Sequence, residues 1–487
     1  MNTKSTGFRL ENLTSGQRKL VYLGGIVVLM VCSILLGAPS TGENTGGKLA
    51  KMRVEHKLGE STLGDVDPSS ATMNLVLLGL RGIAANVLWM EHEELKKTKN
   101  WARMEATVQS IITLQPHFLQ VWRYHGWDLA FNVSSQWDDV RDRFFWVKKG
   151  TLFTMEGHEK NQNYAELPWD VGRLVGHKIG RSDEWRFFRK FFLEDPDPDP
   201  NWNTKYNTRY NREGQDNYLE AYDWYTKANV IEKKVHEERG KGQFQMMREL
   251  FRHYPARSLF DMADALHREG TFGQVSSRAW NKASYEWENV YGKEQFVVDT
   301  IDPPGGVYWL NPVKGDIALM MQEDKVHDPP FDVDRATKEK WIAARQNVTN
   351  FRYWRSRADV ESSQKMVDAH RDLYDGRQFW KAGKTDWHSD GSPPESVVKL
   401  QSGLQKFEEQ FKEFEEQKTE AAHDLTQDEY LIEEAMLAIM FYREAHELSN
   451  IPIPEDHPMK KLWDNNQELV PQIKQEFDRE LRGRSSD

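Results

Sequence analysis

The hydrophobic pattern begins with one uncharged run, residues 20–38, and the rest of the chain is strongly hydrophilic. A helix rises about 1.5 Å per residue, so this run covers about 28 Å, close to the roughly 30 Å hydrocarbon thickness of a bilayer. The pattern predicts a transmembrane helix over residues 20–38, preceded by a short cytoplasmic segment, residues 1–19. A cleaved signal peptide is the alternative, but Leu36 stands where a cleavage site needs a small residue.

Charges on either side of the run predict its orientation. Arg18 and Lys19 abut its N-terminal end, whereas the nearest cation on the other side is Lys48. Cytoplasmic flanks carry the excess of Lys and Arg, so the N-terminus is predicted to be cytoplasmic and the body extracytoplasmic. Residues 39–70 are rich in glycine and scattered charges, which predicts a flexible tether between the anchor and the body.

From about residue 71 the apolar positions recur at helical spacing. The first predicted pair of helices is joined at Lys99-Asn100 and ends before Pro116. Its packing positions are Leu88, Leu95, Trp101, Met104, Val108 and Ile111. Trp122 follows Leu88 by 34 residues and starts a second pair, whose second helix is predicted to run from Gln136. Further pairs are predicted within 167–188 and 259–283, so residues 71–290 form one predicted domain.

These positions resemble tetratricopeptide repeats, a family of stacked helix-turn-helix units of 34 residues. The resemblance covers roughly residues 80–290 and implies an all-α fold, an irregular α-solenoid whose inner helices line a concave groove suited to an extended peptide. The family's groove positions fall on Trp89, Glu93, Arg123, Trp127, Phe131, Trp169, Arg173 and His177. Aromatic residues and arginine dominate interface energies, so these are the candidate partner-binding residues. Packing between helices is the alternative for each of them.

Short segments also resemble a bacterial family of membrane-anchored, tetratricopeptide-like proteins, some labelled iron-responsive element protein. The segments are residues 77–89, 143–150, 177–180 and 270–273. The resemblance implies a single-pass bacterial membrane protein with its body on the periplasmic side, but no known biochemical role. The residues do not support the iron label, because the sequence has no cysteine cluster and lacks the basic surface of an RNA-binding protein.

Two segments interrupt the repeats. Residues 195–200 alternate aspartate with proline, which forbids a helix and predicts an extended spacer. Residues 291–333 form an irregular insert, in which two β-favouring runs, 296–298 and 307–309, flank Pro303-Pro304-Gly305-Gly306 and predict a small hairpin.

The last third of the chain, residues 334–487, is predicted to be a C-terminal helical domain. One long helix is predicted over residues 334–382, which contain no proline. A heptad seam follows at Val397, Leu400, Leu404, Phe407, Phe411 and Phe414. The seam predicts packing against another helix of this chain, with self-association through residues 397–414 as the alternative. The capping box Thr426–Glu429 predicts the start of a helix that ends before Pro452.

Composition limits the chemistry. The formal charge of −11 and the pI near 5.8 argue against nucleic acid as a partner. The single cysteine, Cys32, excludes disulfides within the chain and cysteine-based metal sites. Neighbours such as His92 and Glu93 point about 100° apart on a helix, and the other histidines are scattered along the sequence. No metal and no cofactor are therefore expected.

The sequence predicts a membrane-anchored, non-catalytic scaffold that binds other proteins through the groove. It contains neither a Gly-x-Ser-x-Gly nor a His-Glu-x-x-His motif. The alternative is an enzyme whose toroid-like helical body brings scattered carboxylates and histidines together. A scaffold presents an open groove, whereas an enzyme needs a pocket with converging titratable groups.

Overall fold

The computed structural model describes residues 14–37, 47–48, 51–52, 81–197, 201, 203–239, 246–298, 305–417 and 422–482. Within these residues the chain is mainly helical and contains one small two-stranded sheet, which confirms the all-α prediction. It divides into two compact units. Unit 1 comprises the residues up to Leu174 together with Val230–Glu238, and unit 2 comprises Val175–Asn229 and the residues from Arg239 onward. Most of the predicted tether, residues 39–70, lies outside the described residues.

The apolar run falls in helix α1, Ser15–Gly37, where the sequence predicts a helix. Of its described side chains, Leu20 and Leu29 are among the most exposed, and the side chains of residues 33–37 lie outside the description. Among the residues that the structure describes, no helix has both the length and the apolar character that a membrane crossing requires. The transmembrane helix over residues 20–38 therefore stays a prediction.

The helices of unit 1 pair largely as predicted. They are α2 (Arg81–Lys97), α3 (Trp101–Leu114), α4 (Leu119–Asp128), α5 (Val140–Lys160) and α6 (Glu166–Arg173). The Asn100 side chain caps α3 by accepting a hydrogen bond from the backbone N–H of Arg103, at the predicted joint. The predicted packing residues Met104, Val108 and Ile111 are buried in the core of this unit.

The second pair departs from the prediction at its turn. After α4 the chain continues through a π-helical turn, Leu129–Val133, and a 3₁₀ turn, Ser134–Gln136. Helix α5 then begins at Val140, not at Gln136, because the Asp139 side chain caps it by accepting a hydrogen bond from the backbone N–H of Arg141.

Glycines let α4 and α5 approach each other closely. A Cβ at Gly150 would lie 2.4 Å from the backbone oxygen of Gly126, and a Cβ at Gly126 would lie 2.1 Å from Thr154 Oγ1. Neither position has room for a side chain. This contact fixes α4, which carries several of the predicted groove residues.

Unit 2 contains the remaining labelled helices and a hairpin. The described α-helices of five or more residues that begin after residue 174 are α7 (Trp185–Leu193), α8 (Asn217–Arg239), α9 (Arg248–Arg252), α10 (Tyr254–Arg268), α11 (Gln274–Tyr285), α12 (Asp316–Val326), α13 (Arg335–Val348), α14 (Phe351–Glu361), α15 (Gln364–Lys381), α16 (Glu395–Gln417), α17 (Glu429–Leu448), α18 (Lys460–Asn465) and α19 (Val470–Arg482). The C-terminal end of α8 is assigned to unit 1. The predicted hairpin is confirmed: β1 (Phe296–Val298) pairs antiparallel with β2 (Gly306–Tyr308), and Phe296 lies opposite Tyr308.

The predicted long helix over residues 334–382 is wrong, because the chain turns twice within it and forms α13, α14 and α15. Asn350 adopts a left-handed conformation with φ of 54° between α13 and α14. The Ser363 side chain caps α15 by accepting a hydrogen bond from the backbone N–H of Met366. Asparagine and serine can thus end helices without proline.

The heptad seam lies on α16 and packs within the chain, which confirms the intramolecular interpretation. Its residues Val397, Leu400, Leu404, Phe407 and Phe411 are buried in one core with residues of α15 and α17. The close approach of α15 and α16 depends on glycine, since a Cβ at Gly403 would lie 2.5 Å from Leu373 Cδ2.

The capping box predicted the next helix two residues too early. Helix α17 begins at Glu429, because the Asp428 side chain accepts a hydrogen bond from the backbone N–H of Leu431. It ends at Leu448, before Pro452 as predicted.

Candidate functional site

Unit 1 brings predicted groove residues together in a row of aromatic rings. The ring centroids of Trp89 and Tyr124 are 5.3 Å apart, those of Tyr124 and Trp127 are 6.4 Å apart, and those of Trp127 and Phe131 are 5.6 Å apart and stacked. The guanidinium of Arg173 lies 5.7 Å from the Phe131 ring centroid. We call these five residues the aromatic strip. Residues 124, 127 and 131 share a face because they are three and four positions apart along α4 and its π-helical extension.

The members of the strip differ in exposure. Trp127 is 36% exposed and is its most accessible ring, while Trp89, Tyr124, Phe131 and Arg173 are half-buried. Accessible aromatic surface next to a guanidinium is typical of protein interfaces.

Two other predicted groove residues are engaged within unit 1. Arg123 donates two hydrogen bonds to Asp170, with Nε 2.5 Å from Oδ2 and Nη2 3.3 Å from Oδ1. Burial raises the pKa of Asp170, and the guanidinium of Arg123 opposes that effect. Trp169 is only 7% exposed. Both residues fit the alternative interpretation, in which the side chain packs between helices instead of binding a partner. They hold α6 beside α4.

A buried polar layer lies next to the strip. His92 Nε2 is 3.2 Å from His125 Nδ1, and Lys96 Nζ is 2.5 Å from Asp128 Oδ1. Trp89 stacks on His92 with ring centroids 4.9 Å apart. Burial lowers the pKa of His125 to about 3, and the nearby His92 acts in the same direction. The predicted residue Glu93 sits at the edge of this layer, with its carboxylate 3.4 Å from His92 Nδ1.

The sequence interpretation missed this pairing of histidines, although a signal was present. His92 and His125 are 33 residues apart, close to the repeat period, so they occupy similar positions on successive first helices.

The remaining predicted groove residue, His177, belongs to unit 2 and is exposed. It lines a pocket of about 760 Å³, here called the polar pocket. The pocket wall carries side chains of α10, α14, α15, α17 and α19. Its charged and aromatic lining residues are His177, Arg181, Asp264, His267, Arg268, Phe272, Arg357, His370, Tyr374, Arg377, Tyr430, Glu433, Glu434, Glu476, Arg479 and Glu480. Titratable groups therefore converge here, as the enzyme alternative requires.

Two histidines and two carboxylates meet beside the polar pocket, and we call them the His–Glu cluster. His267, His370 and Glu434 line the pocket, whereas Glu361 is buried behind them. His370 Nε2 is 2.7 Å from Glu361 Oε2, and His370 Nδ1 is 3.0 Å from Glu434 Oε1. The ring centroid of His267 lies 4.4 Å from that of His370. His267, Glu361 and His370 each offer one atom that could bind a metal ion, and these three atoms lie within 4.8 Å of one another.

An arginine and an aspartate flank this cluster. Arg357 Nη2 donates a hydrogen bond of 2.8 Å to Asp264 Oδ1, and Arg357 Nε lies 3.5 Å from Glu361 Oε1. Glu361 is fully buried, and its Oε1 accepts no hydrogen bond from the described residues.

The environment shifts the pKa values of the two imidazoles, those of His267 and His370, in opposite directions. Burial lowers the pKa of His267 to about 3, and the charge of His370 adds to this effect. Burial alone would also lower the pKa of His370, but the carboxylates of Glu434 and Glu361 raise it to about 10. The same interaction brings the pKa of Glu361 down to about 2 despite burial. Adjacent groups with separated pKa values are a common feature of acid–base sites.

The sequence interpretation missed the His–Glu cluster because it predicted one helix over residues 334–382. Nine helical residues would place Glu361 and His370 about 14 Å apart. The turn at Ser362-Ser363 instead brings the two side chains into contact. The available signal of a turn was the pair of serines, Ser362 and Ser363, that follows Glu361 in the sequence.

Comparisons with family models, with curated proteins and with solved structures find no match for this chain. The resemblance to tetratricopeptide repeats therefore stays a prediction, and the function has to be argued from these two sites.

Proposed function

We propose that this protein is a membrane-anchored, tetratricopeptide-like scaffold that binds a segment of another protein on the aromatic strip of unit 1. The observation that carries the proposal is the continuity of the strip, since four residues selected by repeat register alone, Trp89, Trp127, Phe131 and Arg173, lie in one row. Rings and guanidinium groups on one face are the residue types that dominate protein interfaces.

The chemistry of the strip indicates an extended segment with apolar side chains and at least one carboxylate. The rings of Trp89, Tyr124 and Trp127 offer apolar contact along one line. Arg173 lies over the Phe131 and Trp169 rings, and its charge also acts on Asp170, whose hydrogen bonds come from Arg123. A carboxylate of the partner could pair with the Arg173 guanidinium.

The anchor is supported by the sequence. Residues 20–38 carry no charge and follow Arg18 and Lys19, so the body is proposed to be extracytoplasmic, on the periplasmic side of a bacterial membrane. Because a lysine at the centre of a membrane helix costs about 3 kcal/mol, Val28→Lys should release the protein from sedimented membranes. Val87→Lys is the matched control, since Val87 is exposed in α2. Equal retention of both variants would contradict the anchor.

The scaffold proposal is tested by capture of the full-length protein from its own membrane, with quantification of what co-purifies. Trp127→Ala and Arg173→Ala should each lose the same partner, by about tenfold or more, as expected when an interface hot spot is removed. Phe145→Ala is the matched control, because Phe145 is a 41% exposed aromatic residue of unit 1 outside the strip. If all three variants retain every partner equally, none of those partners binds at the strip.

A second candidate function is small-molecule chemistry in the polar pocket of unit 2. The observation that favours it is the adjacency of His267 and His370, whose pKa values are shifted in opposite directions. One imidazole is then neutral and the other protonated near neutral pH, which suits proton transfer. A screen of soluble metabolites by thermal shift, on the wild type and on His267→Gln, tests this function. The expected result is a ligand that stabilises only the wild type, and the absence of any such ligand would argue against the pocket.

A further inference from the structure

The His–Glu cluster has the residue types of a metal centre. We propose that His267, Glu361 and His370 together bind one divalent first-row transition ion beside the polar pocket. The inference goes beyond the scaffold function and does not depend on it.

The geometry of the three ligand atoms is close to that of a bound ion. Their separations stay within 4.8 Å. Atoms bound to one ion at 2.0–2.2 Å are at most about 4.4 Å apart. His370 Nε2 and Glu361 Oε2, now 2.7 Å apart, would separate slightly as bonds to the ion replace their hydrogen bond. Two imidazoles with one carboxylate suit zinc, ferrous iron, cobalt or nickel better than magnesium or calcium, which prefer oxygen ligands.

The neighbours of the cluster match the outer contacts that orient metal ligands. A ligating imidazole usually uses its second nitrogen to bond a carboxylate or another polar group. His370 Nδ1 contacts Glu434 Oε1 at 3.0 Å, while its Nε2 faces Glu361. His267 Nε2 contacts the buried Ser276 hydroxyl, which leaves its Nδ1 for an ion.

Carboxylates next to the imidazoles are the groups that would attract a cation. Glu361 and Glu434 both lie within 3.0 Å of His370. Arg357 pairs with Glu361 and Asp264, and the charges of Arg181 and Arg377 act on Asp264 and Glu434. The fully buried Glu361 keeps one oxygen that accepts no hydrogen bond within the described residues, although Arg357 Nε lies 3.5 Å from it, and a buried carboxylate oxygen without a hydrogen bond is costly.

The site would keep positions open to the polar pocket. Both His267 and His370 line the pocket, so water or a ligand in it could reach the ion. Three protein ligands with an open position are typical of catalytic metal ions, which lower the pKa of bound water or polarise a bound carbonyl group.

The test is cobalt binding by the full-length protein after treatment with a chelator. We expect one equivalent of Co²⁺, a visible absorption spectrum of a low-symmetry site, and two imidazole ligands by X-ray absorption. His267→Ala and His370→Ala should weaken binding about 100-fold or more, and Glu434→Gln about 10- to 100-fold. His446→Ala is the matched control, because His446 is a buried histidine of unit 2 outside the cluster, and its binding should match the wild type.

Either of two binding results would overturn the proposal. One is a wild-type protein that takes up no cobalt when the metal is in excess. The other is a spectrum that persists unchanged in His267→Ala and His370→Ala, which would place the ion elsewhere. If a ligand variant fails to fold, the imidazole count on the wild type decides, since fewer than two bound imidazoles would also contradict the site.

Discussion

The aromatic strip of unit 1 and the His–Glu cluster of unit 2 are built in opposite ways. Much of the strip comes from one helix and its extension, it is partly exposed, and its contacts are between rings. The cluster draws on four helices, its core is buried, and its contacts are between charges. Removing a side chain of the strip should therefore weaken partner binding. Removing a side chain of the cluster should instead lower the free energy of unfolding.

The largest expected effect is the loss of Glu361. Glu361→Ala removes one of the two carboxylates that pair with the buried His370 and one of the two that pair with the buried Arg357, and breaking such a buried pair costs about 3–5 kcal/mol. Trp127→Ala, at the exposed ring of the strip, should cost about 1 kcal/mol or less. Denaturant unfolding followed by circular dichroism measures both changes. If both variants lost the same free energy of unfolding, the proposed difference between the two sites would be wrong.

The dependence of stability on pH should have opposite signs at the two sites in metal-free protein. For His125, the folded pKa of about 3 lies below the ordinary histidine pKa of 6.5, so the unfolded chain binds the extra proton between these values and stability falls as pH drops below about 6.5. For His370, the folded pKa of about 10 lies above 6.5, so its stabilisation is complete below pH 6.5 and is lost as pH rises towards 10.

Unfolding free energies at several pH values, with His125→Gln and His370→Gln, separate the two contributions. Each variant should flatten one limb of the profile by about 1.4 kcal/mol per pH unit between the two pKa values, since one pKa unit corresponds to about 1.36 kcal/mol. His125→Gln should flatten the acid limb and His370→Gln the alkaline limb. A variant that flattens the opposite limb would contradict the assigned environment.

The contact of α4 with α5 behind the strip should tolerate no side chain. Gly150→Ala places a Cβ 2.4 Å from the backbone oxygen of Gly126, and relief of such an overlap costs about 1–3 kcal/mol. Gly82→Ala in helix α2 is the control, because the nearest atom to a Cβ at that position, Gln115 Nε2, would be 3.5 Å away. It should be neutral or slightly stabilising. Similar melting temperatures for both variants would argue against the close crossing.

The repeat register selected Trp89, Trp127, Phe131 and Arg173 of the strip but not Tyr124. Leu88 and Trp122 are separated by 34 residues, and Trp127 and Phe131 follow at helical spacing. The same reasoning predicted the hairpin and the heptad seam of α16. It could not predict the His–Glu cluster, whose members His267, Glu361 and Glu434 meet only through tertiary packing and share no period. The helix ends at Asn350 and Ser363 were missed because a left-handed asparagine and a serine cap are weaker sequence signals than proline.

The central claim, that the aromatic strip binds a segment of another protein, is tested most directly by a photo-crosslinking amino acid at position 127 of the full-length protein in its own membrane. The control position is 145, which is also exposed in unit 1. We expect one discrete adduct from position 127, absent from position 145 and lost when Arg173 is changed to Ala. Identical adducts from both positions, or none from position 127, would contradict the claim.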